Sequence, residues 1–233
     1  MIVRGVVPAE LEDAMKDVVI LGAGGFAREV WWALEEMNTE CNQWNILGFI
    51  DENPDAKGKS LCELPVLGGF EWFKNEFKPQ VICGVGGNAI RRRFAEKGSS
   101  LGLEFCTVVH PSARLSRFVD LGKGTVVCAG TLLTTQIKIG EHVNLNLDCT
   151  VGHDSVIESY CNLSPGVHIS GQVRLEEAVT IGTGAVLLPA VRVGHDSVIG
   201  AGAVVNKDIP ALSLAIGVPA KVVKSLDSVR PAA

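Results

Sequence analysis

From Val109 to Val205 every sixth residue is Val, Leu or Ile, seventeen positions in succession. The series is Val109, Leu115, Leu121, Val127, Leu133, Ile139, Leu145, Val151, Ile157, Leu163, Ile169, Leu175, Ile181, Leu187, Val193, Ile199 and Val205. A period of six matches neither the 3.6 of an amphipathic helix nor the 2 of a half-buried strand. It describes short strands joined by regular turns, with one aliphatic side chain directed inward each time the chain changes direction. Three hexads make one triangular coil of about eighteen residues, and about five and a half such coils stack so that each covers the apolar face of the next.

The residues before this region follow a different pattern. DVVILGAG at 17–24 reads as a buried strand ending in glycines, AREVWWALEEM at 27–37 as a helix, and NILGFIDEN at 45–53 as a second strand closing on Asp51 and Glu52. PVLGGFEWFKNEF gives a short connection and a helix, PQVICGVG at 79–86 another strand, and NAIRRRFAEKGSSLG another helix. Strands alternating with helices predict a small, mostly parallel α/β domain. The boundary falls between 1–107 and 108–233, and GVPAKVVKSL at 217–226 reads as a turn and a short element capping the last coil.

Composition narrows the function. Of 233 residues 47% are hydrophobic, enough for a sizeable core, and 21 Lys and Arg stand against 26 Asp and Glu. That balance offers no basic surplus for nucleic acid or for an anionic membrane. No run of eighteen apolar residues occurs, and MIVRGVVPAELEDAMK lacks the apolar core and cleavage pattern of a secretory signal, so a cytoplasmic location is expected. The seven cysteines form no CxxC pair, which supports neither a disulfide framework nor a zinc knuckle, and no metal is expected. Cys128, Cys149 and Cys161 fall inside the repeat, where a thiol serves as a small core residue.

Two glycine-rich loops mark candidate binding sites in the first domain. LGAGGFAREV sets Gly22, Gly24 and Gly25 where a strand meets a helix, and backbone N–H groups freed there suit a phosphate or carboxylate. Asp51, at the end of the next strand, suits a ribose or sugar hydroxyl. GVGGNAIRRRF repeats the arrangement with Asn88 and Arg91 available, so that two loops at adjacent strand ends define one crevice. The motif departs from GxGxxG and the domain is short for a dinucleotide. A bare structural turn and a pocket for a smaller nucleotide or sugar nucleotide both remain open.

Histidine is the natural base at neutral pH, and there are five. His110 precedes Pro111 at the domain junction and reads as structural. His142 and His168 sit at other phases of the hexad, with His168 fifteen residues past His153 and so within reach of it on the next coil. His153 and His195 share the string VGHDSVI, each two residues past an inward aliphatic and followed by Asp. Both copies fit a structural corner. The polar surroundings of His153, between NLNLDCT and SPGVHISG, make it the better base, with Asp154, Asp148 or Glu158 to orient its ring. GxSxG, HExxH and P-loop patterns are absent, so direct transfer from an activated donor to a held acceptor is the chemistry left standing.

The repeats IGEHVN, VGHDSV, IGTGAV and IGAGAV, the closing GVPAKVV, and the order LGAGGFAREV, GFIDEN, coils, GHD together resemble the hexapeptide-repeat sugar acetyltransferases. That group includes the bacillosamine- and perosamine-type nucleotide-amino-sugar N-acetyltransferases and the sialic acid O-acetyltransferases. The resemblance spans nearly all of 17–226. It implies a left-handed parallel β-helix preceded by a small Rossmann-like α/β domain, assembled as a homotrimer with acetyl-CoA between coils. It further implies His153 as general base with Asp154 as its acidic partner, and Gly171, Ala201 and Gly202 lining the acetyl-CoA groove. Gly22, Gly24, Gly25 and Asp51, with Asn88 and Arg91, would hold a nucleotide-linked sugar. Asn162 stands where some relatives carry a second histidine, and its amide is a candidate contact for the thioester. N-acetylation of a nucleotide-linked amino sugar is the leading expectation. O-acetylation of a sialic acid or another sugar hydroxyl, and a non-catalytic sugar-nucleotide-binding scaffold, are the alternatives.

Overall fold

The computed structural model describes residues 15–74 and 77–226. The α/β unit runs β1 (Lys16–Leu21), α1 (Gly25–Glu40), β2 (Trp44–Ile50), β3 (Ser60–Leu61), β4 (Leu64–Gly68), β5 (Gln80–Cys83) and α2 (Asn88–Ser100). Its sheet has the order β3-β4-β2-β1-β5, parallel throughout except for the β3–β4 hairpin. β1 is buried from Val18 to Leu21, as a central parallel strand covered on both sides must be. The segment PVLGGFEWFKNEF departs from the sequence reading. Leu64–Gly68 pairs with β2 as a strand, and only a 3₁₀ turn, Phe70–Lys74, follows, because Phe70 and Phe73 are pulled into the core one turn apart. Asn75 and Glu76, and the stretches 1–14 and 227–233 of the two expected domains, lie outside the described residues.

Beyond Thr107 the chain forms the left-handed parallel β-helix, a prism with three faces. The first face stacks Val108–Val109, Val126–Val127, Asn144–Leu145, Asn162–Leu163, Thr180–Ile181 and Val198–Ile199. The second stacks six strands from Arg114–Leu115 to Val204–Val205, and the third five from Val119–Leu121 to Arg192–Val193. Every pairing is parallel at a step of eighteen, as in Leu133↔Val151↔Ile169. The hexad aliphatics from Val127 onward are buried and form one continuous core with a second inward row that includes Cys149 and Cys161. Cys128 instead faces outward beneath the α/β unit. The C-terminal cap is an antiparallel hairpin, Ser213–Ile216 with Lys221–Ser225, added to the first face.

Beyond the first coil each corner carries one residue in the left-handed region. From Gly124 to Gly202 every sixth residue has positive φ, and nine of these are not glycine: Gln136, His142, Asp148, Asp154, Tyr160, Gln172, Ala178, Ala190 and Asp196. The aliphatic row and the left-handed row therefore share one period, three residues out of phase.

The α/β unit roofs the upper part of the first face. The outward residues Val108, Val126 and Asn144 are buried beneath it, whereas Asn162 and Thr180 further along the same face are half-exposed. His110 packs against Trp32 at a ring distance of 4.8 Å, in keeping with a structural role. His142 is enclosed at the junction, stacked on Tyr160 and edge-on to Phe105. Burial, with Arg91 and Lys123 nearby, lowers its imidazole from the usual 6.5 to about 4. The folded protein thus holds His142 neutral while the unfolded chain takes up a proton near 6.5. Its stability is intact above that value and declines as pH falls toward 4, by up to roughly 3 kcal/mol. His142→Asn, compatible with positive φ, should flatten the loss of melting temperature between pH 7 and pH 4.5. Parallel curves for the two proteins would exclude His142 as the group responsible.

Candidate active site

His153 and Asp154 occupy the corner between the second and third faces. Val151 is inward, Gly152 begins the corner, and Asp154 takes the left-handed position with φ 61°. That backbone turn folds the carboxylate back onto its neighbour, so that Nδ1 of His153 lies 2.7 Å from Oδ2 of Asp154. The contact fixes the ring and leaves Nε2 free to accept a proton. The pair is solvent-facing in the single chain, with side chains 60% and 47% exposed. Asp154, among the three carboxylates the sequence left open, is the one that meets the ring.

Gly171 explains how the imidazole is accommodated. A Cβ on Gly171 would lie 2.6 Å from Nε2 and 2.7 Å from Cε1 of His153, so the ring rests across the next coil where a side chain has been omitted. His168 does not join this pair. It projects from the second face, where its Nδ1 lies 2.9 Å from Oγ1 of Thr150.

The strand-end crevice is built from the two glycine loops. Gly22 adopts φ +106°, and a Cβ there would lie 2.9 Å from Cγ2 of Val85 in the second loop. Asp51 holds the first loop in shape. Its Oδ2 accepts the N–H of Ala23 at 2.9 Å and its Oδ1 accepts that of Asn53 at 2.9 Å. Gly24 and Gly25 begin α1, whose first turn carries no acidic side chain to occupy its N–H groups. Such a helix start favours an anion.

Two expected pocket residues have another task. Arg91 is fully buried (0% exposed), and its guanidinium donates to the carbonyls of Val85, Gly86, His142, Tyr160 and Cys161 and to Oδ1 of Asn88. Asn88 donates to the carbonyl of Ala178 and to Thr180. Both side chains are committed to the junction between the α/β unit and the coils, and neither is free to grip a ligand as the sequence suggested. The loop glycines made them look available, because sequence spacing does not reveal that the coil corner rises beneath α2. Asn144, which the sequence did not single out, donates to the carbonyl of Val85 at 3.1 Å. Its only sequence signal is a polar residue at an outward position that follows Val108 and Val126 eighteen residues apart.

Asn162 lies on the first face, its Oδ1 accepting from Asn144 at 3.3 Å, and it does not meet His153 within one chain. Ala201 and Gly202 lie on the corner between the first and second faces. The last two coils form that edge from small residues, GTGA at 182–185 and GAGA at 200–203, and a Cβ at Gly184 or Gly202 would meet nothing within 4 Å. A shallow depression of about 350 Å³ on the third face is lined by Lys138, Val156, Glu158, Ser159 and Glu177 and excludes the dyad. Among the described residues no cluster of His, Cys, Asp and Glu is arranged to hold a metal ion, and no helix is long and apolar enough to cross a membrane.

Comparison with known proteins identifies both units of the chain. Residues 17–98 match the PglD N-terminal domain and residues 172–207 the bacterial transferase hexapeptide (six repeats). GDP-perosamine N-acetyltransferase of Escherichia coli O157:H7 is 30% identical over 185 residues, covering 78% of this chain and 82% of its own length. The chain belongs to the hexapeptide-repeat sugar acetyltransferases. Perosamine N-acetyltransferase from Caulobacter crescentus, solved as a mutant with CoA and GDP-perosamine, superposes with a TM-score of 0.82 at 31% identity, over 90% of this chain and 97% of that one. The acetyltransferase domain of PglB from Neisseria gonorrhoeae FA1090, solved with acetyl coenzyme A, gives 0.83 at 31% identity over 90% and 100%.

A direct consequence concerns Gly171. Gly171→Ala should displace the His153 ring and lower turnover by about tenfold or more while the coil stays folded, since a ~1 Å displacement of a reacting group is costly. Steady-state kinetics beside a circular dichroism melt checks this. Unchanged turnover in the folded variant would show that the ring does not need that space.

Proposed function

We propose that this acetyltransferase moves the acetyl group of acetyl-CoA to the amine of a nucleotide-linked amino sugar, with His153 as general base and Asp154 as its orienting partner. The observation that carries the reading is the His153–Asp154 contact of 2.7 Å, with the ring laid over Gly171 on a rigid coil. The neutral amine attacks the thioester carbonyl and forms the N–C bond. His153 takes the proton released from nitrogen at Nε2, the C–S bond breaks, and the proton passes to the departing thiolate. Asp154 favours the imidazolium that exists between those two transfers. The acceptor lies against the glycine loops, its anionic portion toward the start of α1 and its hydroxyls toward Asp51.

A homotrimer is part of the proposal, and the prism supplies its support. The α/β unit roofs the first face, while His153 stands on the edge opposite that face. An acceptor in the crevice of one chain is therefore directed to the base of another. Gly171 shares the edge of His153, whereas Ala201 and Gly202 lie on a different one, and packing such edges of two chains side by side would bring all three to one groove for acetyl-CoA. The Caulobacter crescentus relative was also solved with CoA and GDP-perosamine when a histidine was replaced by Ala, a substitution that fits a role in chemistry more than in binding. Free thiols at all seven cysteines suit a cytoplasmic location.

The test is thiol release from acetyl-CoA against UDP-, GDP- and dTDP-linked 3- and 4-amino sugars, with free and CMP-linked sialic acid alongside. Release with one nucleotide-linked amino sugar is expected, and release with sialic acid alone would move the reaction to a hydroxyl. His153→Ala should lower kcat by ~10²- to 10⁴-fold with acetyl-CoA binding retained. Asp154→Asn should cost less, because the ring keeps its place over Gly171. Normal turnover by an assembled His153→Ala protein would remove His153 from the role.

A further inference from the structure

Arg91 is the largest fully buried side chain among the described residues, and no carboxylate lies against it. Burial lowers its pKa from 12.5 only to about 10, so the guanidinium stays charged at neutral pH. A buried cation held only by neutral oxygens is an expensive way to glue two units together, since apolar packing of the same volume serves as well. Its partners suggest what the charge accomplishes. Two of the carbonyls it holds, of Val85 and Gly86, belong to the second glycine loop. Three others, of His142, Tyr160 and Cys161, belong to two consecutive coils at one corner. The planar fork thus connects the acceptor crevice directly to the coil backbone.

The grip also orients the loop. In a trans peptide the C=O and the following N–H point in opposite directions. With the Val85 and Gly86 oxygens turned toward Arg91, the N–H groups of Gly86 and Gly87 are turned away from it. The first loop follows the second, because Gly22 packs against Val85 and Gly84 with no room for a Cβ.

We infer that Arg91 is a positioning residue for acetyl transfer: by clamping the second glycine loop to the coil corner, it sets where the acceptor amine arrives relative to the base. It acts through the loop and touches neither substrate. This rests on the crevice being the acceptor site, as in the proposed function. Lysine keeps the charge but brings a single ammonium of three donors, which cannot span carbonyls on both sides of the junction. The loop is then free to settle elsewhere, and a shift of ~1 Å is worth about 10²-fold in rate.

The experiment compares Arg91→Lys with wild type on the acceptor that gives the fastest thiol release. Rates are normalised to acetyl-CoA-binding sites counted by titration, which removes any loss of folded protein. Positioning predicts kcat lower by about 10²-fold, with the acetyl-CoA KM within twofold of wild type. A kcat within threefold of wild type, or a loss confined to the number of acetyl-CoA sites, would show Arg91 to be structural only. If Arg91→Lys does not assemble, Arg91→Gln carries the test under the same normalisation, because its single amide group can donate to only one side of the junction. A fall in normalised kcat of about 10²-fold is expected. A kcat within threefold of wild type in that variant would overturn the inference. Wild-type activity on the acceptor tests the function itself, and the ratio of variant to wild type tests Arg91, so the two failures are distinguishable.

Discussion

From Gly124 to Gly202 the coil turns three times in eighteen residues with one residue per corner in the left-handed region, and the rest of this protein depends on that arrangement. The inward aliphatics supply the driving force, but they are compatible with any strand that alternates. The periodic positive φ closes the triangle and keeps every strand in register with the one eighteen residues away. Nine of these corners use side chains that strain the left-handed conformation by about 1–2 kcal/mol each. Continuous burial of the aliphatic rows offsets that strain. Because the corners are rigid, a side chain placed on one is held in a direction that a flexible loop could not maintain, which suits a base that must meet a ligand bound elsewhere.

The same rigidity governs the junction. The α/β unit has its own core and meets the prism through a second, mixed one in which Val108, Val126 and Cys128 pack against residues of α1 and β1. Apolar packing of this kind sets the distance between the units but permits sliding. The directional contacts from Arg91, Asn88 and Asn144 prevent it, because each aims at a fixed backbone or side-chain oxygen. His142 and Tyr160 fill the space between, both at left-handed corners whose geometry turns their rings toward α2.

Much of this was legible in the chain, and unevenly so. The coils could be read from the hexads because each inward residue reports the same local event seventeen times over. The alternation of strands and helices in the first unit was equally visible, save where Leu64–Gly68 reads as a connection: glycines and a proline obscure a short strand that β2 nevertheless accepts as a partner. The pairing of His153 with Asp154 was harder, since adjacency in sequence does not give direction. It follows only once Asp154 is known to occupy a left-handed corner. Arg91 and Asn88 were misread for a different reason. Their neighbours are loop glycines, but their partners on the coils are 51 to 92 residues distant, and no local pattern encodes a contact of that range.

The duplicated VGHDSVI string shows how far local sequence can go. His195 and Asp196 reproduce the contact of the first copy, with Nδ1 3.0 Å from Oδ2 and Asp196 at φ 54°. Seven identical residues therefore build two identical corners, and the dyad geometry alone does not choose between them. The coil beneath does. Gly152 abuts the N–H of Gly171, and Gly194 correspondingly abuts that of Ala211, so Gly171 and Ala211 are the equivalent positions under the two histidines. Gly171 leaves the space that the His153 ring occupies, whereas Ala211 fills it with a methyl group. His195 is also tied through its backbone N–H, which donates to Oε2 of Glu176 at 3.1 Å. It stands on the edge that adjoins the roofed face, away from the edge that carries Gly171. One missing Cβ on the following coil thus distinguishes two corners that the same seven residues build.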